Sequence, residues 1–398
     1  MTAFLPYGRH TIDEADIAAV VDVLRSDWLT TGPAVEAFET DFAAATGASY
    51  AVACANGTAA LHLAALSLGL VSGDGVVVPA VTFLATANAA RYVGAEVVFA
   101  DVDPDTGLMT PGTLSAALDR ADVKVRAVFP VHLAGQCADI DALGPIASAA
   151  GAAMVEDACH AIGGQDRAGR RVGSCAIGEM ATFSLHPVKT IAAGEGGVVT
   201  TNDEAMAMRL RRFRNHGMVR SDFCLLEQAL DPAGKPNPWY YEMPEPGFNF
   251  RLSDIHAALA RSQMRNLDAF VDRRRALVDL YDGLIARLAP TIRPSGRVEG
   301  ATAWHLYVVL VDFEALGTDR ATVMRRLADR GIGSQVHYLP LSRQPYYVER
   351  YGAQKLPGAD RWYDRALSLP LFPAMSDADV ERVVLALRDA CFEGGGAR

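Results

Sequence analysis

The chain has 398 residues, 37 of them Lys or Arg and 47 Asp or Glu, for a formal charge of −10 at pH 7. Half of the residues are hydrophobic and 21% are charged, a globular composition well away from the disordered regime. The acidity argues against a nucleic-acid or membrane-surface partner, and no apolar run reaches the about 18 residues of a spanning helix.

Met1–His10 lacks the basic-then-apolar pattern of a signal peptide, so a soluble, cytoplasmic protein is expected. At about 150 residues per domain the length suggests two or three domains. The six cysteines (Cys54, Cys137, Cys159, Cys175, Cys224 and Cys391) form no C-x-x-C pair and no zinc-like spacing. They read as reduced, mostly core residues, and no metal site is expected.

From about residue 48 short β-rich runs alternate with helical patterns. The strands fall at Tyr50–Cys54, Gly75–Pro79, Glu96–Val102, Val125–Val131, Ala153–Glu156, Ala181–Ser184 and Gly197–Thr201. The clearest helices are Thr58–Leu70, Phe83–Tyr92, Asp139–Ala150 and Glu204–Arg214. This rhythm predicts an α/β fold with a mostly parallel sheet covered on both faces, its ligand crevice beyond the carboxyl ends of the strands. Met218–Phe248, rich in Pro, Gly and aromatics, is long enough to be a binding loop. Arg251–Leu288 reads as one long helix or two, followed by a smaller α/β segment with a strand at His305–Val311 and a last helix at Asp377–Arg388. The tail Gly394–Gly396 reads as disordered.

Four pieces carry chemistry. Thr182–Lys189 is a β run ending in a lysine, followed by the turn Gly194–Gly197. A lysine at a strand end among few charges is placed for a depressed pKa, and a neutral amine is what a Schiff base to an aldehyde cofactor requires. The alternative for Lys189 is an exposed loop lysine. Met154–His160 is an apolar strand ending in Asp157, where a buried carboxylate needs a cation such as a protonated pyridine nitrogen; helix capping is the alternative. Glu156 points to the opposite face by strand alternation. Cys54–Thr58 joins the first strand to its helix, and the N–H groups of Gly57 and Thr58 make a phosphate site to which Ser184 adds a hydroxyl, unless Asn56 or Thr58 merely caps. Phe83, at a strand-to-helix turn, is either core or a ring that stacks on a flat cofactor. A phosphate cradle, a ring stacker, a buried Asp and a lysine, in that order on a parallel sheet, match the fold-type I enzymes that use pyridoxal phosphate (PLP).

The segments Ser26–Pro33, Ala55–His62, Val155–Ala161, Ser184–Lys189, Gly194–Gly197 and Gly247–Asp254 resemble the DegT/StrS-type sugar-nucleotide aminotransferases, and the likeness runs from Pro6 to about Pro373. Within that family Pro6–Asp13, Val131–Gln136, His186–Lys189, Trp239–Glu242 and Val336–Leu341 resemble the transaminases of the pseudaminic-acid pathway. Those enzymes aminate C4 of a UDP-4-keto-6-deoxy-N-acetyl-β-L-altrosamine-type sugar. The resemblance implies a PLP-binding domain over residues 1–250 and a small C-terminal domain over 251–398. It implies that Lys189 links to the cofactor and shuttles a proton, that Asp157 holds the pyridine nitrogen, that Phe83 stacks, and that Gly57, Thr58 and Ser184 bind phosphate. His160 would lie beside the cofactor's phenolic oxygen, and Asn249 would reach the cofactor phosphate of a neighbouring subunit, giving a homodimer with shared sites. Thr31, His186, His337 and Tyr338 are implied substrate contacts, with L-glutamate as amino donor. Leu185, Cys159 and Cys54 depart from the family pattern at positions without charge. Dehydratase relatives carry His in place of Lys189, so its presence favours transamination.

Overall fold

A computed structural model describes residues 4–392 of the chain. The expected glycine tail lies outside the described residues. Seven strands form the main sheet: β1 Tyr50–Cys54, β2 Asp74–Pro79, β3 Glu96–Ala100, β4 Lys124–Val128, β5 Ala153–Asp157, β6 Met180–Ser184 and β7 Gly197–Thr201. Their spatial order is β1-β7-β6-β5-β4-β2-β3. The pairs from β6 through β5, β4 and β2 to β3 are parallel, and only β7 runs against both of its neighbours. The inner strands are buried along nearly their whole length, which is why they read as continuous apolar runs rather than alternating ones.

Every expected strand of the sheet is present, some shorter than their apolar letters. β3 stops at Ala100 instead of Val102, and β4 stops at Val128, just before Pro130, which has no N–H to give a ladder. The first crossover helix begins at Gly57 and ends at Ser67, and Phe83 stands at the N-cap of Leu84–Tyr92 rather than inside it. The Arg251–Leu288 pattern resolves into two helices, Asp254–Met264 and Leu267–Ile285, the first capped by the Ser253 side chain. Helix Asp254–Met264 packs on helices Glu14–Leu24 and Pro33–Thr46, on the large-sheet side of the molecule.

A second, antiparallel sheet has the order β10-β9-β8, with β8 Ile292–Pro294, β9 Tyr307–Val311 and β10 Ala366–Leu369. Leu277, Tyr281 and Ile285 of one helix and Val383 and Leu387 of Asp377–Phe392 join Val309, Val311 and Leu367 in its core. The buried Arg274 guanidinium donates to the carbonyls of Trp304, His305 and Leu371, tying the chain before β9 to the chain after β10. The N-terminal segment reaches the same region: Leu5 N–H donates to Gly331 O (2.9 Å), Gly333 N–H to Leu5 O (2.8 Å), and Leu371 N–H to Tyr7 O (3.1 Å). Between the sheets, the long loop 218–248 holds only the short helix Leu226–Ala229 and leaves Trp239, Tyr241 and Met243 exposed. Among the described residues no helix is long and apolar enough to cross a membrane.

Candidate active site

At the carboxyl ends of β5 and β6, and between the two sheets, lies a cavity of about 630 Å³. Gly57, Thr58, Phe83, Asp157, His160, Ser184, His186, Lys189, His337 and Tyr338 all line it. Residues that lie far apart in the chain thus meet in one space. A larger hollow of about 920 Å³ follows the outer edge of β3, where Arg350 pairs with Glu96, and holds none of these residues.

The end of the cavity implied for the phosphate is built by close approach. Asn56 caps the helix, its side chain accepting the Ala59 N–H at 2.8 Å, so the capping reading holds for Asn56 and leaves the Gly57 and Thr58 amides at the free helix N-terminus. A Cβ on Gly57 would fall 2.8 Å from Ser184 Cβ, and one on Gly197 would fall 2.2 Å from the Asn56 carbonyl oxygen. Glycine at both positions lets the helix start press against the ends of β6 and β7, bringing the Ser184 hydroxyl to the same amides.

Asp157 is 5% exposed. Its Oδ2 accepts from Thr86 Oγ1 at 2.7 Å and its Oδ1 from the Cys159 N–H at 3.2 Å, so it caps no helix. Each oxygen keeps acceptor capacity toward the cavity. Glu156, as alternation requires, turns the other way and meets His132 Nε2 at 2.9 Å. Lys189 follows β6 in a tight turn, its N–H donating to His186 O at 2.8 Å. Burial lowers its pKa from the ordinary amine value, against the opposing pull of Cys159 and Asp157. Burial likewise drives His160 well below the usual imidazole range and His337 down to about 3, with Lys189 adding to both. These histidines are neutral neighbours of the amine. The Cys159 thiol is pushed well up by burial and Cys54 to about 12, so neither is poised as a nucleophile.

Phe83 is exposed at the cavity mouth, its ring centroid 6.1 Å from that of Tyr338. The core reading of Phe83 therefore fails. His337 Nδ1 meets Ser368 Oγ at 2.8 Å, which anchors it to β10. Two sequence-implied residues do not line this cavity. Thr31 is exposed beside the Thr30–Ser253 bridge, and Asn249 is exposed where its backbone bridges Asn215. Arg9, Arg220 and Arg251 are also absent from the lining, and Arg251 donates to Asn215 Oδ1 at 2.7 Å. Sequence reasoning missed Tyr7, Glu195, His305, Gln335 and Gln344 as cavity residues. Tyr7 and Gln335 adjoin segments singled out for resemblance, whereas no local pattern marks His305 or Gln344.

These side chains suit a flat aldehyde with a phosphate arm: a helix start that a Cβ would fill, a buried carboxylate with acceptor capacity left, an exposed aromatic ring and an amine whose pKa burial lowers. Residues 10–388 match the DegT/DnrJ/EryC1/StrS aminotransferase family. The chain is 39% identical over 389 residues to SpsC of Bacillus subtilis (strain 168), a spore coat polysaccharide biosynthesis protein, covering 97% of both chains. Among solved structures it is similar to Helicobacter pylori PseC, an aminotransferase involved in pseudaminic-acid biosynthesis, at 25% identity and TM-score 0.87 over 98% of this chain and 99% of that one. It is also similar to Spr1654 of Streptococcus pneumoniae in its PLP form, at 28% identity and TM-score 0.86 over 98% and 99% of the two chains. A family match that runs through both sheets, around a cavity holding a lysine, a buried aspartate and a helix N-terminus, leaves one assignment: the chain belongs to the DegT/DnrJ/EryC1/StrS family and is a PLP-dependent sugar aminotransferase.

Proposed function

We propose that this enzyme moves the amino group of L-glutamate to C4 of a UDP-4-keto-6-deoxy-N-acetylhexosamine of the pseudaminic-acid type. The observation that carries the reading is the meeting of Lys189 and Asp157 in one cavity whose other wall comes from Pro6–Asp13 and Val336–Leu341, the segments that resemble the pseudaminic-acid transaminases. Those segments supply Tyr7, Val336, His337, Tyr338, Leu339 and Leu341 to the lining.

PLP, when bound, supplies the aldehyde that carries nitrogen and the ring that stabilises negative charge. The chain does the rest. Asp157 would meet the ring nitrogen and favour its protonated form. The Gly57 and Thr58 amides and the Ser184 hydroxyl would hold the phosphate. Phe83 would stack on the ring. The Lys189 Nζ, whose pKa burial lowers, would take a proton from the amino donor's carbon and return one to C4 of the sugar. Free thiols at all six cysteines agree with a reducing, cytoplasmic setting. The test is a panel of keto sugar nucleotides with L-glutamate and NMR of the products. Amination at C4 of the UDP-4-keto-6-deoxy sugar is expected; amination confined to a C3 ketone or to TDP sugars overturns the assignment.

The same reading makes the working unit a homodimer with shared sites. Trp28, Leu29, Trp239, Tyr241 and Met243 are large, exposed and close in sequence to Thr31 or Asn249, the two implied residues left outside this chain's cavity. Mixing Lys189→Ala and Asn249→Ala subunits should restore about a quarter of wild-type activity, because half of randomly paired dimers then hold one intact site. A mixture no more active than its parents excludes sharing.

A further inference from the structure

Val131–Gln136 was singled out in the sequence and takes no part in the roles above. Its central residue, Ala134, has φ 59° and ψ 6°, the left-handed region that a residue with a Cβ avoids and that tends to persist where surroundings enforce it. Here they do. The Ala134 carbonyl accepts from the N–H groups of His305 (2.9 Å) and Leu306 (3.4 Å). A Cβ on the next residue, Gly135, would fall 2.0 Å from the Ala303 carbonyl oxygen.

The conformation gives the Ala134 N–H a direction: it donates to Nδ1 of His160 at 3.3 Å. A backbone amide cannot accept, so Nδ1 is the bare nitrogen of this neutral ring and the proton sits on Nε2. Nε2 lies 3.3 Å from the Tyr338 hydroxyl oxygen. Nε2–H therefore donates, the hydroxyl accepts, and the phenolic hydrogen turns away from His160 toward the cavity. Asp157 accepts from Thr86 and Cys159 and not from this hydroxyl, and the acceptor capacity it keeps serves the cofactor's ring nitrogen in the reading above. A phenolic hydrogen so placed calls for an acceptor on a ligand.

We propose that the Ala134 turn and His160 fix the Tyr338 hydroxyl as a hydrogen-bond donor to an oxygen of the keto sugar. The proposal rests on the sugar-aminotransferase reading. Ala134 and His160 are positioning residues, and Tyr338 is the group that touches substrate.

Two measurements test it separately. In the protein labelled with 15N-histidine, the signal lost in His160→Phe should show a protonated Nε2 and a bare Nδ1; a protonated Nδ1 overturns the proposal whatever the enzyme acts on. With glutamate-loaded enzyme and the keto sugar, Tyr338→Phe and His160→Phe should each slow the sugar step about 10- to 100-fold. The double variant should fall no more than about twofold below the slower single one, because both changes remove the same donor. His160→Asn, which can still accept and donate, should recover part of the rate. An unchanged Tyr338→Phe rate, or losses that multiply in the double variant, overturns the proposal. If wild-type enzyme fails to react with L-glutamate, the parent reading has failed, and the histidine spectrum still decides the relay.

Discussion

Lys189→Ala should leave a folded protein that turns over at least about a thousandfold more slowly. The side chain faces a cavity rather than filling a core, so its loss removes an amine without opening a void in either sheet. The effect is large because among the described residues no second amine lines that cavity, and the neighbouring histidines His160, His305 and His337 are all held neutral by burial. Thermal melting should move little, while the visible absorbance that L-glutamate bleaches in the wild type should no longer respond. A variant that still turns over would shift the proton-transfer role to another group.

Asp157→Asn should cost about two to three orders of magnitude in turnover while changing the fold least of any substitution there. The amide keeps the shape of the carboxylate, and its oxygen still accepts from Thr86 Oγ1 or from the Cys159 N–H. What it loses is the negative charge, and with it the preference for a protonated ring nitrogen. Turnover and the pH dependence of the bound cofactor's absorbance should change together. A variant with wild-type turnover would reduce Asp157 to a structural acceptor for Thr86.

The sheet was legible because strands buried on both faces carry apolar runs without alternation, as at Val76–Val78 in β2, Ala153–Val155 in β5 and Val198–Val199 in β7. Helices before and beside the sheet were harder to see, although local signals existed. Asp13 and Asp16 form a capping box, Thr110 and Thr113 another, and Pro33 and Pro111 stand at first helical positions. The cofactor end of the cavity was legible for a different reason. Gly57, Asp157, Ser184 and Lys189 sit at the ends of strands, where one topology places them together. The substrate end was not, because Tyr7, His305 and Gln344 reach it through contacts between the sheets that no local period encodes. His305, for example, is placed by the carbonyl of Ala134 and the guanidinium of Arg274, neither of which is near it in sequence. The long loop 218–248, expected as a binding loop, is irregular apart from its short helix, and at its end Phe248 stacks on Phe250 beside His62, contacts that no local period encodes.

The backbone anchoring of Tyr7 has a consequence for how the enzyme is made. All seven strands of the main sheet exist once Thr201 has been synthesised, and Lys189 is by then at its edge. Tyr7 is held by Leu371, and Leu5 by Gly331 and Gly333, so a segment made before the main sheet finds its place only after the second sheet has been made. On a chain grown only to Thr201 the cavity lacks the wall that Gln335–Leu341 supply. The burial that lowers the Lys189 pKa is therefore completed only by residues made long after the lysine itself.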